Sequence, residues 1–299
     1  MNLFDTEKAF DWSKFLPHKE CWNGDLIPNR PGLYQVRRLG EKHLDYIGQT
    51  GKGTMTLRKR LGMLSGIYGA EMPYTAPHTA GPALWALRQQ SNVEFEVSVF
   101  EVNDSTQKRK GLEALAVALH RQQFGKSPSI NFGRMPRGFC KSSANTSGLR
   151  IKGKRFRGGQ CDSIKQYHAT GIPPVGPITS DNPHSSRWGG HEWSDWRPLD
   201  RTSIIPMSAT GIYRIRDAIK PGLLYIGEGI VRDRLISHFQ KAKKSHNAQS
   251  DIFGAAERLE CSWVFNQTWL PHHRLELECD LIGAHLLFCG AAPSAQFIG

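Results

Sequence analysis

The amino-acid sequence predicts an α+β protein that contains two copies of one small domain. Two observations carry this prediction: a pair of short aromatic motifs occurs twice, and a set of polar residues recurs at matched spacing near the end of each copy. A basic segment lies between the copies. A chain of 299 residues has room for about two domains of ordinary size.

The repeated motifs predict a β-hairpin at the start of each copy. Gly32-Leu33-Tyr34 is followed after eleven residues by Tyr46-Ile47-Gly48, and Gly211-Ile212-Tyr213 is followed after eleven residues by Tyr225-Ile226-Gly227. Runs of aromatic and β-branched residues on either side of a turn-forming centre are typical of paired strands. A motif pair that recurs at the same spacing indicates an internal repeat, which sets the domain count.

Both copies continue with the same order of elements. In the first copy, Leu57, Leu61 and Leu64 lie on one face of a predicted helix, because they are spaced at i, i+4 and i+7. Residues 65–92 form an insert that begins as a proline-rich loop and ends in a short helix. Strict alternation over 93–100 predicts a third strand, and a helix follows over 111–124.

The second copy has a helix from about Val231, a third strand over 259–265 and a helix that holds Glu278. Its C-terminal part aligns with that of the first copy without a gap, and Asn131 falls opposite Gln296. The paired positions are Arg109 with Arg274, Glu113 with Glu278, His120 with His285, Pro128 with Pro293, Ser129 with Ser294, and Phe132 with Phe297.

Composition excludes several classes of protein. The chain is 39% hydrophobic and 22% charged, which is typical of a soluble globular protein, and it has no run of about 18 apolar residues that predicts a membrane helix. Acidic residues in Met1–Glu7 argue against a secretion signal, so we expect a cytoplasmic protein without a membrane partner. The six scattered cysteines are interpreted as free thiols, without a disulfide framework or a zinc site.

The net charge of +12 is concentrated in the middle of the chain. Residues 1–133, the first domain with its lead-in, carry 17 basic and 13 acidic side chains; residues 134–188 carry 10 and 2; residues 189–299, the second domain, carry 12 and 12. We interpret 134–188 as a basic linker, rich in Gly, Ser and Pro, that contacts a polyanion, nucleic acid above all. Simple solubility is the alternative interpretation. The expected contact residues are Arg58, Arg150, Lys152, Lys154, Arg155 and Arg157.

The polar residues of each copy fit hydrolysis of a phosphodiester. Each copy offers two tyrosines, an arginine, a glutamate and a side-chain amide. A carboxylate suits Mg²⁺, which keeps most of its waters, and the planar fork of an arginine suits phosphate oxygens. A tyrosine near both groups would act as general base if its pKa fell by about 2–3 units. We therefore predict in-line attack of water with a divalent cation, Mg²⁺ or Mn²⁺, at the leaving oxygen.

With these residues, the chain resembles a tandem pair of GIY-YIG nuclease domains, a family named after the two hairpin tripeptides. The resemblance covers about four-fifths of the chain and leaves out the lead-in and the basic linker. It implies a small three-stranded antiparallel sheet flanked by helices in each domain. It also implies metal-dependent hydrolysis through one divalent ion in each site.

The resemblance assigns roles to individual residues. Tyr34 and Tyr213 match the general base, and Tyr46 and Tyr225 match the tyrosine that positions the nucleophile. Arg234 matches the arginine that binds phosphate; Arg60 is its best counterpart in the first copy, and Arg58 is the alternative. The remaining matches are His238 for a histidine found in many members, Glu113 and Glu278 for the metal ligand, and Asn131 for the terminal asparagine.

Both copies depart from the family pattern, since Leu64 stands where the second copy has His238, and Gln296 replaces the asparagine. His78, in the proline-rich insert, is interpreted as an ordinary loop residue. The expected function is a DNA endonuclease in which each site cuts one strand, so that one chain acts as a monomeric pseudo-dimer. The alternative is a nucleic-acid-binding protein in which one or both domains have lost catalysis, and RNA is a second possible substrate.

Overall fold

The computed structural model describes residues 10–21, 25–244 and 247–298, and the interpretation of Met1–Glu7 lies outside these residues. The fold is α+β, with antiparallel sheets and seven α-helices in the described part of the chain. None of these helices is long and apolar enough to cross a membrane. The chain forms two compact units: unit 1 spans residues 1–109 and 127–170, and unit 2 spans residues 110–126 and 171–299.

Unit 1 is built on one antiparallel sheet. Its strands are Leu16–Pro17 (β1), Gly32–Arg38 (β2), Tyr46–Gln49 (β3) and Phe95–Glu101 (β4). They form a sheet in the order β1-β4-β2-β3, so the predicted hairpin is the pair β2 and β3. β1 was not predicted, because two residues are too few to show an alternating pattern.

Helices of unit 1 pack on this sheet. The helix Leu57–Gly62 (α1) is capped by Thr56, whose side-chain oxygen accepts a hydrogen bond from the Lys59 amide. The helix Gly81–Ser91 (α2) lies at the end of the insert. Thr106–Phe124 (α3) passes from unit 1 into unit 2 at residue 110. The predicted leucine face of α1 is buried in the core of unit 1, together with aliphatic and aromatic side chains of β2, β4 and α2.

The residues interpreted as a linker are divided between the two units at residue 170. Unit 1 contains a small hairpin made of Phe139–Cys140 (β5) and Gly159–Gln160 (β6), with the short helix Ser147–Ile151 (α4) at its tip. Phe139 packs against Trp85 of α2 with ring centroids 6.0 Å apart. This segment, the 139–161 hairpin, is therefore anchored in the core of unit 1.

A disulfide closes the 139–161 hairpin between Cys140 and Cys161. The interpretation of all six cysteines as free thiols is wrong for this pair. β5 and β6 pair through Cys140 and Gly159, which brings the two cysteines to a Cα–Cα distance of 5.8 Å although they are 21 residues apart. That separation resembles no short motif, so the sequence alone does not show it. The other four cysteines are free: Cys21, Cys261, Cys279 and Cys289.

Unit 2 repeats the sheet of unit 1. Its strands are Arg197–Pro198 (β7), Thr210–Asp217 (β8), Leu223–Ile230 (β9) and Leu259–Phe265 (β10), in the order β7-β10-β8-β9. The third strand has the predicted bounds, 259–265. The helices that follow the strands are Val231–Ala242 (α5), Ala248–Gly254 (α6) and Pro271–Cys289 (α7).

Matching hydrogen bonds in the two sheets show that the repeat extends to side-chain contacts. Ser98 of β4 donates its hydroxyl to the carbonyl of Ser13 at 2.7 Å. Ser262 of β10 donates its hydroxyl to the carbonyl of Ser194 at 2.8 Å. The two sheets therefore share strand order, strand direction and the hydrogen bonds that hold the segment before each edge strand.

Residues 110–124 of α3 pack against α7 within unit 2. A Cβ atom on Gly283 would lie 3.0 Å from the Cβ of Ala118, and one on Gly111 would lie 3.0 Å from Cδ1 of Leu286. Small residues at these positions let the two helices approach closely. The helix that carries Glu113 and the helix that carries Glu278 thus share one packed interface.

A buried ion cluster ties α3 to α7. The guanidinium of Arg121 is fully buried; its Nε donates to Asp280 Oδ1 at 2.8 Å and its Nη2 donates to Oδ2 at 3.0 Å. Its Nη1 lies 3.5 Å from Glu276 Oε2 and donates to the Ile172 carbonyl at 3.1 Å. Burial raises the pKa of Asp280 to about 6, and the charge of Arg121 opposes that rise.

Candidate active site

The glycines of the repeated motifs allow the tyrosines to lie over the hairpin. A Cβ atom on Gly48 would lie 2.6 Å from the hydroxyl oxygen of Tyr34, and one on Gly227 would lie 2.4 Å from the hydroxyl oxygen of Tyr213. Contacts this short are not tolerated between non-bonded atoms, so only glycine fits. The last glycine of each motif is therefore needed because the tyrosine side chain crosses the neighbouring strand at that residue.

In unit 2 the two tyrosines and one histidine form a compact aromatic group. The rings of Tyr213 and Tyr225 stack with centroids 6.2 Å apart, and the ring of His238 lies 4.5 Å from that of Tyr225. The hydroxyl oxygen of Tyr213 lies 2.9 Å from His238 Nε2. His238 projects from α5 and is buried. The structure thus brings together three residues that the sequence predicted.

The electrostatics of this group depend on Arg234, whose positive charge acts on the Tyr213 hydroxyl. Burial, with a contribution from Tyr225, raises the pKa of Tyr213 well above its usual value, and Arg234 opposes the rise. Burial also raises the pKa of Tyr225 to about 12. The general-base role expected for Tyr213 requires the opposite shift, so it needs additional positive charge near the phenol oxygen.

Glu278 completes the second site from α7. Its partly buried carboxyl has a pKa raised to about 8, first by burial and then by the charge of Glu228, while Arg234 opposes the rise. Gln296 Nε2 donates to Glu278 Oε1 at 3.4 Å, and Gln296 Oε1 accepts from the Ile226 amide at 3.1 Å. The substituted amide therefore links the strand that bears Tyr225 to the carboxylate.

A second carboxylate at this site was not predicted from the sequence. Glu228 follows Gly227 in β9 and accepts a hydrogen bond from Arg274 Nε at 2.8 Å. Gln49 is the corresponding residue of the first copy, and its amide oxygen accepts from the Gly51 amide. The two sites therefore differ in charge at this position, although the surrounding motif is the same.

In unit 1 a residue from the insert occupies the place of the helix histidine. His78 Nε2 lies 2.7 Å from the hydroxyl oxygen of Tyr34, and the His78 ring lies 5.8 Å from that of Tyr46. His78 is buried, and burial lowers its pKa well below the usual value, with Arg60 adding to the effect. The first copy thus has a histidine at its tyrosine after all, supplied by a different segment.

Backbone contacts fix the tautomer of His78. The Ala80 amide donates to His78 Nδ1 at 3.1 Å, so in the neutral ring Nδ1 is the acceptor and Nε2 carries the proton. His78 therefore donates its Nε2–H to the Tyr34 oxygen and does not accept the phenolic proton. A donor in this position stabilises a tyrosine that has lost its proton.

Interpretation of His78 as an ordinary loop residue is incomplete, since this loop residue is buried against Tyr34. The sequence signal was indirect: the first copy lacks a histidine at Leu64, and a proline-rich insert of unexplained length carries one. An alignment by spacing does not connect the two positions, because contact arises only when the insert folds back over β2.

Arg60 and Arg58 make different contacts. Arg60 donates from Nη1 to the Pro77 carbonyl at 2.8 Å, next to His78, and its charge acts on that histidine. Arg58 instead donates to the Ile27 carbonyl at 3.0 Å and to Asp25 at 2.9 Å. Arg60 therefore lies beside the histidine of the first copy, whereas Arg58 is paired elsewhere.

Asn131 holds the strand between the two motif residues. Its Oδ1 accepts from the Ile47 amide at 3.0 Å, and its Nδ2 donates to the Ile47 carbonyl at 2.9 Å. Both hydrogen-bonding groups of the side chain are thus used on one backbone residue, adjacent to Tyr46. Asn131 positions the site, and the longer Gln296 uses its second group on Glu278 instead.

Glu113 lies on α3 in the part that belongs to unit 2, where it is partly buried. Unit 1 by itself brings together Tyr34, Tyr46, Arg60 and Asn131, with His78 added, but not the glutamate. Unit 2 by itself contains a full set, made of Tyr213, Tyr225, Arg234, His238, Glu278 and Gln296.

Apart from Arg58, the cations expected to contact nucleic acid fall into two groups. Arg150, Lys152 and Lys154 are exposed around α4 at the tip of the 139–161 hairpin. The guanidinium carbons of Arg155 and Arg157 lie 4.3 Å and 4.6 Å from the ring centroid of Tyr74, and these two residues hold the hairpin against the insert.

The donor set of the second site fits a hard divalent cation. Glu278 and Glu228 supply carboxylate oxygens, the ligands that Mg²⁺ and Mn²⁺ prefer, and one or two protein carboxylates are enough when waters complete the shell. Burial raises the pKa of Glu278 most and the charge of Glu228 adds to the rise, so a cation near both carboxylates would favour their charged form. No cluster of three or more His, Cys, Asp or Glu with metal-ligand geometry occurs in the described part of the chain.

Comparisons with known proteins add no identification to this geometry. No model of a known protein family matches the chain, and neither a curated protein nor a solved structure matches it.

Proposed function

We propose that this protein is a metal-dependent DNA endonuclease with two GIY-YIG-type sites, each of which cuts one strand. The observation that carries the proposal is a tyrosine oxygen paired with a histidine and accompanied by a second tyrosine and an arginine, which occurs in both units. The glycine contacts behind each tyrosine and the amide that binds the adjacent strand support it.

Each residue has a defined task in this mechanism. Tyr213 accepts a proton from the attacking water after its own proton has been lost to solvent, and the charge of Arg234 stabilises the phenolate. The arginine also binds a non-bridging phosphate oxygen, and its planar fork fixes the phosphorus in line with the water. Glu278 and Glu228 would hold a divalent cation, which would supply positive charge to the reacting phosphodiester.

In the first site, His78 contributes a fixed hydrogen bond to the general base. Its Nε2–H stabilises the Tyr34 phenolate but cannot take the phenolic proton, because the Ala80 amide occupies Nδ1. Tyr34 therefore releases its proton to solvent before the reaction. Arg60, which is fixed beside His78 by the Pro77 carbonyl, binds the phosphate.

Cleavage of supercoiled plasmid in the presence of Mg²⁺ tests the proposal. Wild type is expected to give linear product, while Glu113→Gln, at the glutamate that the resemblance assigns to the first site, and Glu278→Gln each give nicked circle, since each variant keeps one site. The double variant is expected to leave the plasmid supercoiled, and chelation of the metal is expected to do the same. Glutamine matches glutamate in size, so circular dichroism should show an unchanged fold.

The alternative is a nucleic-acid-binding protein in which one or both sites have lost catalysis. It is favoured if wild type binds plasmid but leaves it intact in both Mg²⁺ and Mn²⁺. If one glutamine variant cuts neither strand and the other cuts both, a single site does the chemistry. Parallel reactions with structured RNA decide whether DNA or RNA is the substrate.

Arg60→Ala is expected to slow nicking by the first site about 100-fold, because the phosphate loses a charged donor in the transition state. The measurement uses a Glu278→Gln background, in which the first site alone reports. Arg58→Ala is the matched control, two residues away and paired with Asp25 instead. An equal loss in both variants would mean that the effect comes from charge on α1 in general.

A further inference from the structure

The 139–161 hairpin carries an unusual concentration of positive charge. Residues 134–161 include eight Lys and Arg and contain neither Asp nor Glu. Three of the cations, Arg150, Lys152 and Lys154, are exposed at the tip. A surface of this kind attracts a polyanion, and its contacts with phosphates release bound counterions.

The hairpin holds its tip in a fixed shape. The Cys140–Cys161 disulfide closes its base, and the Ser143 amide donates to the Phe156 carbonyl at 3.1 Å. The Gly158 amide donates to Ser142 Oγ at 2.9 Å. A pre-ordered element loses little conformational entropy when it binds, so the tip is suited to a ligand of defined geometry.

Two of the cations fix the hairpin and are not available in the same way. Arg155 and Arg157 lie over the ring of Tyr74, and Arg157 Nη1 also lies 2.8 Å from Glu71 Oε2. Arg155 and Arg157 therefore position the tip on the insert that carries His78. Arg150, Lys152 and Lys154 are therefore the exposed cations around α4 that can contact a ligand.

Ile151 lies between the outward cations and is 86% exposed. This aliphatic side chain at the tip of a polar, highly charged element buries little surface within the protein and is accessible to a ligand that the cations attract. Side chains of this type enter between the base pairs of a duplex, where neighbouring cations bind the flanking phosphates. Phe156, the second aromatic residue of the hairpin, is 57% exposed but lies below the tip, where its backbone bonds Ser143.

We propose that the tip of the 139–161 hairpin inserts Ile151 between base pairs of duplex DNA, while Arg150, Lys152 and Lys154 bind the phosphates on either side. The inference rests on the proposed function, because it adds the DNA form that the nuclease recognises. Single strands are a poorer match, since they are bound by aromatic side chains that stack on bases and isoleucine has no aromatic face. An anionic membrane is also a poorer match, because α4 has only five residues and presents no continuous apolar face.

The test uses the full chain with EDTA and a duplex in which one adenine is replaced by the fluorescent analogue 2-aminopurine. Unstacking of the analogue increases its fluorescence, so wild type is expected to raise the signal when the analogue lies at the insertion step. Ile151→Ser is expected to abolish this rise and to weaken duplex binding about tenfold, with the salt dependence unchanged.

Two further variants separate the effect of inserting Ile151 from the effect of the positive charges. Lys152→Gln with Lys154→Gln is expected to reduce the slope of log affinity against log salt by about 1.8, since two phosphate contacts are lost. Ile164→Ser is the matched control, because Ile164 is 90% exposed in the same unit but lies outside the hairpin, and it should behave as wild type.

Three results would overturn the inference: unchanged fluorescence and duplex affinity in Ile151→Ser, tighter binding to the single strand than to the duplex, or binding to phosphatidylserine vesicles that DNA does not compete. If wild type still cuts plasmid in these cases, the nuclease proposal stands and only the insertion of Ile151 is ruled out. If wild type unstacks the analogue but cuts no substrate, the insertion of Ile151 stands and the nuclease proposal fails.

Discussion

Replacing Arg121 with methionine is expected to lower the free energy of unfolding by about 3–5 kcal/mol, which is among the largest effects of any single change in this protein. The guanidinium forms ion pairs with Asp280 and Glu276 in a fully buried position between α3 and α7. Its removal leaves two buried carboxylates without their cation. Urea unfolding at pH 8, followed by circular dichroism, measures the change.

Two comparisons show whether the uncompensated charge is the cause. A triple variant with Arg121→Met, Asp280→Leu and Glu276→Gln should recover most of the loss, because apolar groups replace the ion pair and the glutamine still accepts from the Ile172 amide. Arg197→Met breaks an exposed pair with Asp195 and should cause no measurable change. An Arg121→Met protein as stable as wild type would contradict the prediction.

Wild type is expected to lose about 3 kcal/mol of its free energy of unfolding between pH 7.5 and pH 4 because of His18, and His18→Gln is expected to remove this loss. The His18 ring is fully buried, with Nε2 donating to the Leu61 carbonyl at 3.2 Å and Nδ1 accepting from the Tyr68 hydroxyl at 3.1 Å. Burial lowers the pKa of His18 from 6.5 to about 4. The unfolded chain thus binds this proton below about pH 6.5 and the folded chain only near pH 4, so stability is lost as the pH falls.

The measurement compares urea unfolding of wild type and His18→Gln at several pH values. The difference between the two proteins is more informative than either curve, because Glu278 and Asp280 have raised pKa values and contribute with the opposite sign. His191→Gln in unit 2 should give the same flattening, since burial lowers the pKa of His191 to about 4. Parallel curves for wild type and both variants would rule out the buried histidines as the source.

Much of the fold follows from local patterns in the sequence. The matched spacing of the repeated motifs was enough to find both hairpins, and the third strand of the second copy has the predicted bounds, 259–265. The two-residue edge strands at Leu16–Pro17 and Arg197–Pro198 carry no periodicity, and only pairing with β4 and β10 defines them.

Some residues of the candidate site can be predicted from the sequence and others cannot. Tyrosines, arginines and glutamates are visible because they recur at fixed distances along the chain, whereas the contact of His78 with Tyr34 joins residues 44 positions apart. Glu228 was missed because its counterpart is Gln49, so the repeat gave no signal there. The Cys140–Cys161 bond likewise depends on a hairpin of two short strands.

The insert that supplies His78 has a consequence for how such chains are classified. A search that demands histidine four residues after the arginine accepts the second copy and rejects the first, since that position holds Leu64. In the first copy, the histidine that contacts the tyrosine is His78, which comes from the insert. A linear motif therefore misses a tyrosine–histidine contact that exists once the insert has folded.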